Sequence, residues 1–174
     1  MRLEAHRRLV EIAAAQGLEH GKLVQKLLAL AFLEAGAVRV TDRSTQGIDL
    51  EVVLPDGRRI ALEVKTTQGE ALSLGEKDLE GLRSRIGEGF VPYVAVLGPH
   101  LLDEWVFARF TEGEIRPRQA YPPLLLRALR DRSLESVVAS TFPAAVIAHG
   151  AAAAKGGQGA LTALLRKHKA FALA

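Results

Sequence analysis

The 174-residue sequence has no cysteine and no asparagine, and only one methionine, one tryptophan and two tyrosines. Without cysteine, disulfides, thiolate zinc sites and cysteine nucleophiles are excluded together, and any metal must be held by oxygen or imidazole ligands. A hard cation is favoured. No apolar run reaches the roughly 18 residues that a membrane span needs, and the opening Met1-Arg2-Leu3-Glu4 lacks a signal-peptide hydrophobic segment. A cytoplasmic protein with no membrane role is expected. Neither sign of charge dominates: 23 Lys and Arg stand against 20 Asp and Glu, a net +3. That balance admits a polyanionic partner without requiring one. The missing asparagine, beside abundant Ala, Leu, Arg and Glu, fits a thermophilic source.

What is present is globular in character, with 48% hydrophobic and 25% charged residues. The length suits one domain of about 100–150 residues plus an extension. Residues 2–16 carry Leu3, Leu9, Ile12 and Ala13 on roughly one face, and Gly17 offers a stop. A second helix is expected over residues 21–35, apolar nearly all round and therefore largely buried, with Gly36 at its end. An extended piece at 37–40, a polar loop at 41–46 and a hairpin at 48–65 follow. Leu79, Leu82 and Ile86 then recur at helical spacing over 76–86, and strands are expected at 91–97 and 104–110 around a loop at 98–103. The order αα-βββ-α-ββ predicts a mixed α/β sheet flanked by helices over residues 1–116. Pro117, Pro122 and Pro123 break the pattern, and residues 117–174 read as a helical C-terminal extension, with helices at 124–132, 134–140 and 161–169. The stretch 151–159, AAAAKGGQG, is biased enough to predict a mobile linker.

The chemistry concentrates in the hairpin. Pro55-Asp56-Gly57 suits a three-residue loop in which Pro55 and Asp56 make a type I turn and Gly57 takes the left-handed position. If Leu54 faces Arg58 across it, Ile48 faces Val64, Leu50 faces Leu62 and Val52 faces Ile60, all apolar. The other face then sets Asp49 opposite Glu63, with Cβ atoms about 4.5–5.5 Å apart, and Lys65 two residues along. Like charges directly opposite are destabilising, and a divalent cation would relieve them: Mg²⁺ is commonly held by one or two carboxylates, waters and a substrate phosphate oxygen. Lys65 could then orient a water or stabilise developing charge, which describes phosphodiester hydrolysis. The same pattern also fits the solvated face of an ordinary amphipathic hairpin, with Lys65 merely pairing with a carboxylate. The hairpin alone leaves both readings open.

Gly47-Ile48-Asp49, a turn, and Glu63-Val64-Lys65 resemble the PD-(D/E)XK nuclease superfamily, and most closely the archaeal-type Holliday junction resolvases. The ordering agrees from about residue 21 to 110, with Leu72-Ser73-Leu74 leading into a helix and Pro92-Tyr93-Val94-Ala95-Val96 and Trp105-Val106-Phe107 falling where that family has its last strands. The resemblance implies a restriction-endonuclease-like fold and a metal-dependent endodeoxyribonuclease with Asp49, Glu63 and Lys65 as catalytic residues. It implies Mg²⁺, for which Mn²⁺ substitutes, and a homodimer acting on branched DNA in recombination and repair. The proline of the superfamily's name is absent, since Ile48 precedes Asp49. The family's helical Glu, a further metal contributor, aligns with Gln25, a weaker Mg²⁺ ligand that Glu19 or His20 could replace by reaching in. Two alternatives stand beside the resolvase: a repair, restriction or phage nuclease on another DNA structure, and a DNA-binding protein with a decayed site.

Lys22, Lys26, Arg39 and Arg43 flank the hairpin and are candidate phosphate contacts, with Gln68 after the Lys65-Thr66-Thr67 run as a further DNA contact. Isolated basic residues are also commonly just solvated. The five histidines show no ligand spacing, which disfavours zinc. Gly156-Gly157-Gln158-Gly159 follows no strand and lacks a Walker ending, so no nucleotide cofactor is expected. Arg166, Lys167, His168 and Lys169 either grip DNA or complement a helix dipole.

Overall fold

The computed structural model describes residues 2–43, 47–67, 69, 71–98, 104–123 and 125–174. Parts of the loops expected at 41–46 and 98–103 therefore lie outside the described residues. Helix α1 (Arg2–Gln16) buries Ala5, Leu9 and Ile12, while Leu3, expected on that face, is exposed. Helix α2 (His20–Glu34) buries every residue from Leu23 to Phe32, as its all-round apolar sequence requires. It ends where Gly36 turns left-handed (φ 88°) and Ala37 N–H reaches back to Phe32 O at 2.9 Å, a Schellman closure.

Strands β1 (Arg39–Asp42), β2 (Leu50–Val53) and β3 (Arg59–Thr66) form an antiparallel meander. After the two-residue β4 (Leu72–Ser73), helix α3 (Glu76–Gly87) crosses over, so β5 (Val91–Leu97) lies parallel to β3 and β6 (Val106–Arg109) closes antiparallel to β5. The short β7 (Ala120–Tyr121) pairs with β4 in a separate ribbon. Helices α4 (Arg132–Val138) and α5 (Thr141–Leu165) lead to β8 (Phe171–Leu173), which pairs parallel with β1. The six-stranded sheet runs β6-β5-β3-β2-β1-β8. One face, through Leu50, Val52, Ile60, Leu62 and Val64, packs against α2 in a core that α1, α4 and α5 complete. The other packs against α3 and the β4–β7 side through Ala61, Val94 and Val96.

Two expectations change here. Residues 117–174 are not set apart: Phe142, Val146, Leu161 and Leu165 share one core with α2, and β8 is a strand of the central sheet. The expected linker at 151–159 is helix, bent at Gly157 (φ 58°, ψ −152°). Alanine favours helix strongly enough to carry the chain up to that bend, and Gln16 Nε2 donates to Ala154 O at 2.6 Å just before it.

Candidate active site

The hairpin turn forms as its sequence demands. Gly57 sits at φ 86°, Gly57 N–H donates to Leu54 O at 3.0 Å, and Arg58 N–H reaches Asp56 Oδ1 at 3.0 Å. The expected register holds from there, with Val52 opposite Ile60 and Leu50 opposite Leu62. It stops at Leu50. Asp49 N–H donates to Leu62 O at 3.0 Å, so Asp49 has left the regular ladder and does not pair with Glu63 across it. Instead its carboxylate turns onto β3, where Asp49 Oδ2 accepts Val64 N–H at 2.7 Å. Ile48, expected to face Val64, is buried on the opposite side of the sheet among Leu79, Leu82 and Ala61. The backbone bend at 47–49 accounts for both corrections, because leaving the pleat breaks the alternation that the register argument assumed.

Strand β3 alternates as a strand must, sending Leu62 and Val64 to the helical layer and Glu63 and Lys65 toward α3. Glu63 is 6% exposed, and Lys65 Nζ lies 2.7 Å from its Oε1. The ammonium also lies 3.1 Å from Oδ2 of Asp78, in the first turn of α3. Asp78 Oδ2 in turn accepts Gly75 N–H at 2.9 Å, capping the helix. Gly47, Ile48, Asp49, Glu63, Lys77 and Asp78 line a small open cavity of about 130 Å³.

The electrostatics follow from this crowding. Burial, then the Asp49 charge, pushes the Glu63 carboxyl up to about 8. Burial also raises Asp49 to about 6, against the lowering effects of the Val64 N–H and Lys65. Burial alone would lower the Lys65 ammonium, but Glu63 and Asp78 outweigh it and hold it above its ordinary value. Asp78 sits below the usual range because Gly75 N–H and Lys65 overcome its own partial burial. Among the described residues no group of three or more Asp, Glu or His side chains is arranged to hold a metal ion. The donor set is thus two carboxylates that resist ionising side by side, which fits a single hard divalent cation completed by water and phosphate oxygens.

The flanking candidates separate. Gln25 is 5% exposed, and its Nε2 lies 3.4 Å from both Asp42 Oδ1 and the Asp49 carbonyl oxygen, next to the site on its α2 side. Lys26 is buried rather than turned to solvent. Its Nζ lies 3.0 Å from Asp42 Oδ2 with 7% of the residue exposed, so it is not free to meet a phosphate. Arg43 pairs with Glu51 at 2.7 Å, and Arg39 and Arg43 line a depression with Arg59, which stacks on Phe90 at 4.1 Å. Lys22 is exposed at the start of α2. Gln68 lies outside the described residues. Glu19 bonds the Gln158 side chain, and His20 is half-buried with its pKa lowered by burial. Asp42 and Asp78 are the acids that sequence reasoning missed. Gly75-Glu76-Lys77-Asp78 carried a signal, an acid at the third helical position; nothing in the sequence marked Asp42.

No family model matches the sequence, and no curated protein does. Solved structures match by fold. Among them is Hjc, a Holliday junction resolvase from the archaeal hyperthermophile Archaeoglobus fulgidus, with a TM-score of 0.51 and 19% identity over 67% of this chain and 95% of that one. The chain shares the fold of that protein. The mixed sheet flanked by helices is the restriction-endonuclease-like architecture expected from the sequence. In this fold Asp49, Glu63 and Lys65 stand together at one end of β3, facing α3.

Proposed function

We propose that the protein is a Mg²⁺-dependent DNA endonuclease, with Mn²⁺ able to substitute, that hydrolyses phosphodiester bonds in branched DNA as a homodimer. One observation carries this reading: the Asp49 carboxylate pinned on Val64 N–H beside Glu63, which is itself engaged by the Lys65 ammonium, on a resolvase-like fold. Asp49 and Glu63 would hold the cation, with Gln25 at its flank. When bound, the cation polarises the scissile phosphate and lowers the pKa of a coordinated water. Asp49 is kept from swinging away by its backbone hydrogen bond. Glu63, whose carboxyl is held near 8 by burial and the Asp49 charge, would carry its full charge there only where that charge is matched. Lys65 orients the attacking water or meets the charge that develops on the phosphate. Lys22, Arg39 and Arg43 would contact the backbone on either side. Two subunits are invoked because resolving a junction takes two related cuts.

The test is a panel of four-way junction, flap, single strand and duplex with Mg²⁺ or Mn²⁺, run with the parent and Lys65→Ala. Junction cutting by the parent and its loss in the variant are expected. Equal cutting of all four substrates would remove the resolvase reading in favour of a nuclease on another DNA structure. No cutting of any substrate would leave a DNA-binding protein with a decayed site, the reading that the amide at Gln25 favours.

A further inference from the structure

Asp78 caps α3 through its carboxylate. A cap needs just an acceptor for Gly75 N–H, which a neutral side chain supplies as well as a charged one. The carboxylate has a second engagement, 3.1 Å from Lys65 Nζ. Its position is fixed from behind. A Cβ added at Gly81 would overlap the Gly47 carbonyl and come within 3.1 Å of Ile48 Cγ2, so the helix carrying Asp78 meets the loop carrying Asp49 with no side chain between them.

An ammonium has three N–H donors. Lys65 directs one to Glu63 at 2.7 Å and one to Asp78 at 3.1 Å, which leaves one for a water or a phosphate oxygen. If Glu63 were its sole partner, Lys65 would contest the carboxylate that the nuclease reading assigns to the cation. Asp78 ends that contest by giving the ammonium a fixed anion outside the Asp49–Glu63 pair. We propose that Asp78 is a positioning residue that holds the Lys65 ammonium in place while Glu63 serves the cation. Its charge then governs the rate of cutting and not the binding of DNA. This rests on the nuclease reading above.

Asp78→Asn separates the two roles, since it keeps an acceptor for Gly75 N–H and removes the charge; Asp78→Glu restores the charge on a longer arm. In the full chain with Mg²⁺, Asp78→Asn is expected to lower kcat about 10–100-fold, the usual scale for residues supporting a metal site, with the KM for DNA unchanged. Asp78→Glu should recover part of that loss. A second readout needs no cutting: the ¹⁵Nζ signal of Lys65 in metal-free protein, assigned by its absence in Lys65→Arg, should lose its protection from solvent exchange in Asp78→Asn and keep it in Asp78→Glu. Parent-like kcat, an unchanged Lys65 signal, or a loss of rate matched by a fall in melting temperature in Asp78→Asn would each overturn the proposal. If the parent cuts no DNA, the nuclease reading fails, and the Lys65 signal still decides whether Asp78 holds the ammonium.

Discussion

Glu63→Gln should stabilise the metal-free protein, and do so only at high pH. Glu63 is held near 8 in the folded protein by burial and by Asp49, against an ordinary 4.5. Because the folded value lies above the unfolded one, the unfolded chain ionises first as pH rises. The folded protein therefore loses stability from about pH 4.5 up to about pH 8, and the loss is complete above that. The distance from 4.5 to about 8, at about 1.4 kcal/mol for each pH unit, is on the order of 5 kcal/mol. The neutral amide of glutamine avoids this penalty, but it also takes one anion from Lys65, which keeps Asp78. A net gain of about 2 kcal/mol at pH 8.5 and close to none at pH 4.5 is expected. Urea unfolding in EDTA at both pH values, parent beside variant, measures it. His20, whose pKa burial lowers, pulls stability the other way with pH, but it does so in both proteins and cancels in the difference. Mg²⁺ should reverse the ranking at pH 8.5, because a ligand bound by the folded state alone stabilises it and the parent has both carboxylates. A variant no more stable than the parent at pH 8.5 without metal would refute the claim that the pair is held ionised at a cost.

Gly81→Ala should loosen α3 from the Asp49 loop, at an overpacking cost of about 1–3 kcal/mol or more, since the added carbon meets backbone; thermal melting checks it, and an unchanged melting temperature would deny the close approach. Lys26→Ala should cost about 3–5 kcal/mol by taking the ammonium from the buried Asp42 carboxylate, measured by urea unfolding. By contrast, Arg39→Ala should leave stability intact and reduce the salt dependence of DNA binding by about one phosphate contact, read from a salt titration in Ca²⁺.

Much of the fold was legible because its elements are locally consistent. The α2 run is apolar all round and Gly36 stops it; β5 is a continuous apolar strand; Pro55-Asp56-Gly57 admits one kind of turn and fixes the register through Leu50. The C-terminal third was less legible because its signals are weak or misleading. AAAAKGGQG reads as flexible by composition, yet the alanines are good helix formers whose buried face finds α2, and only Gly157 departs from helix. Strand β8 is three residues with no turn signal, and pairing with β1 is a long-range event that no local pattern announces.

The site shows the same division at finer scale. Residue types and their spacing along β3 located Glu63 and Lys65, because alternation in a strand is geometric. They could not locate the partners, since a helical face says where a side chain points and not what waits there. Lys26 looked like a phosphate contact because it flanks the hairpin in the sequence; Asp42 makes it a core ion pair. That pair also bears on Gln25. With Asp42, Asp49 and Glu63 already crowding one end of the sheet, and Lys26 committed to Asp42, a carboxylate at position 25 would add a fourth negative charge beside the Asp49 carbonyl. An amide there donates a hydrogen bond instead. The neutral residue that looked like a deficiency in the proposed metal site is therefore also the one that the acids around it favour.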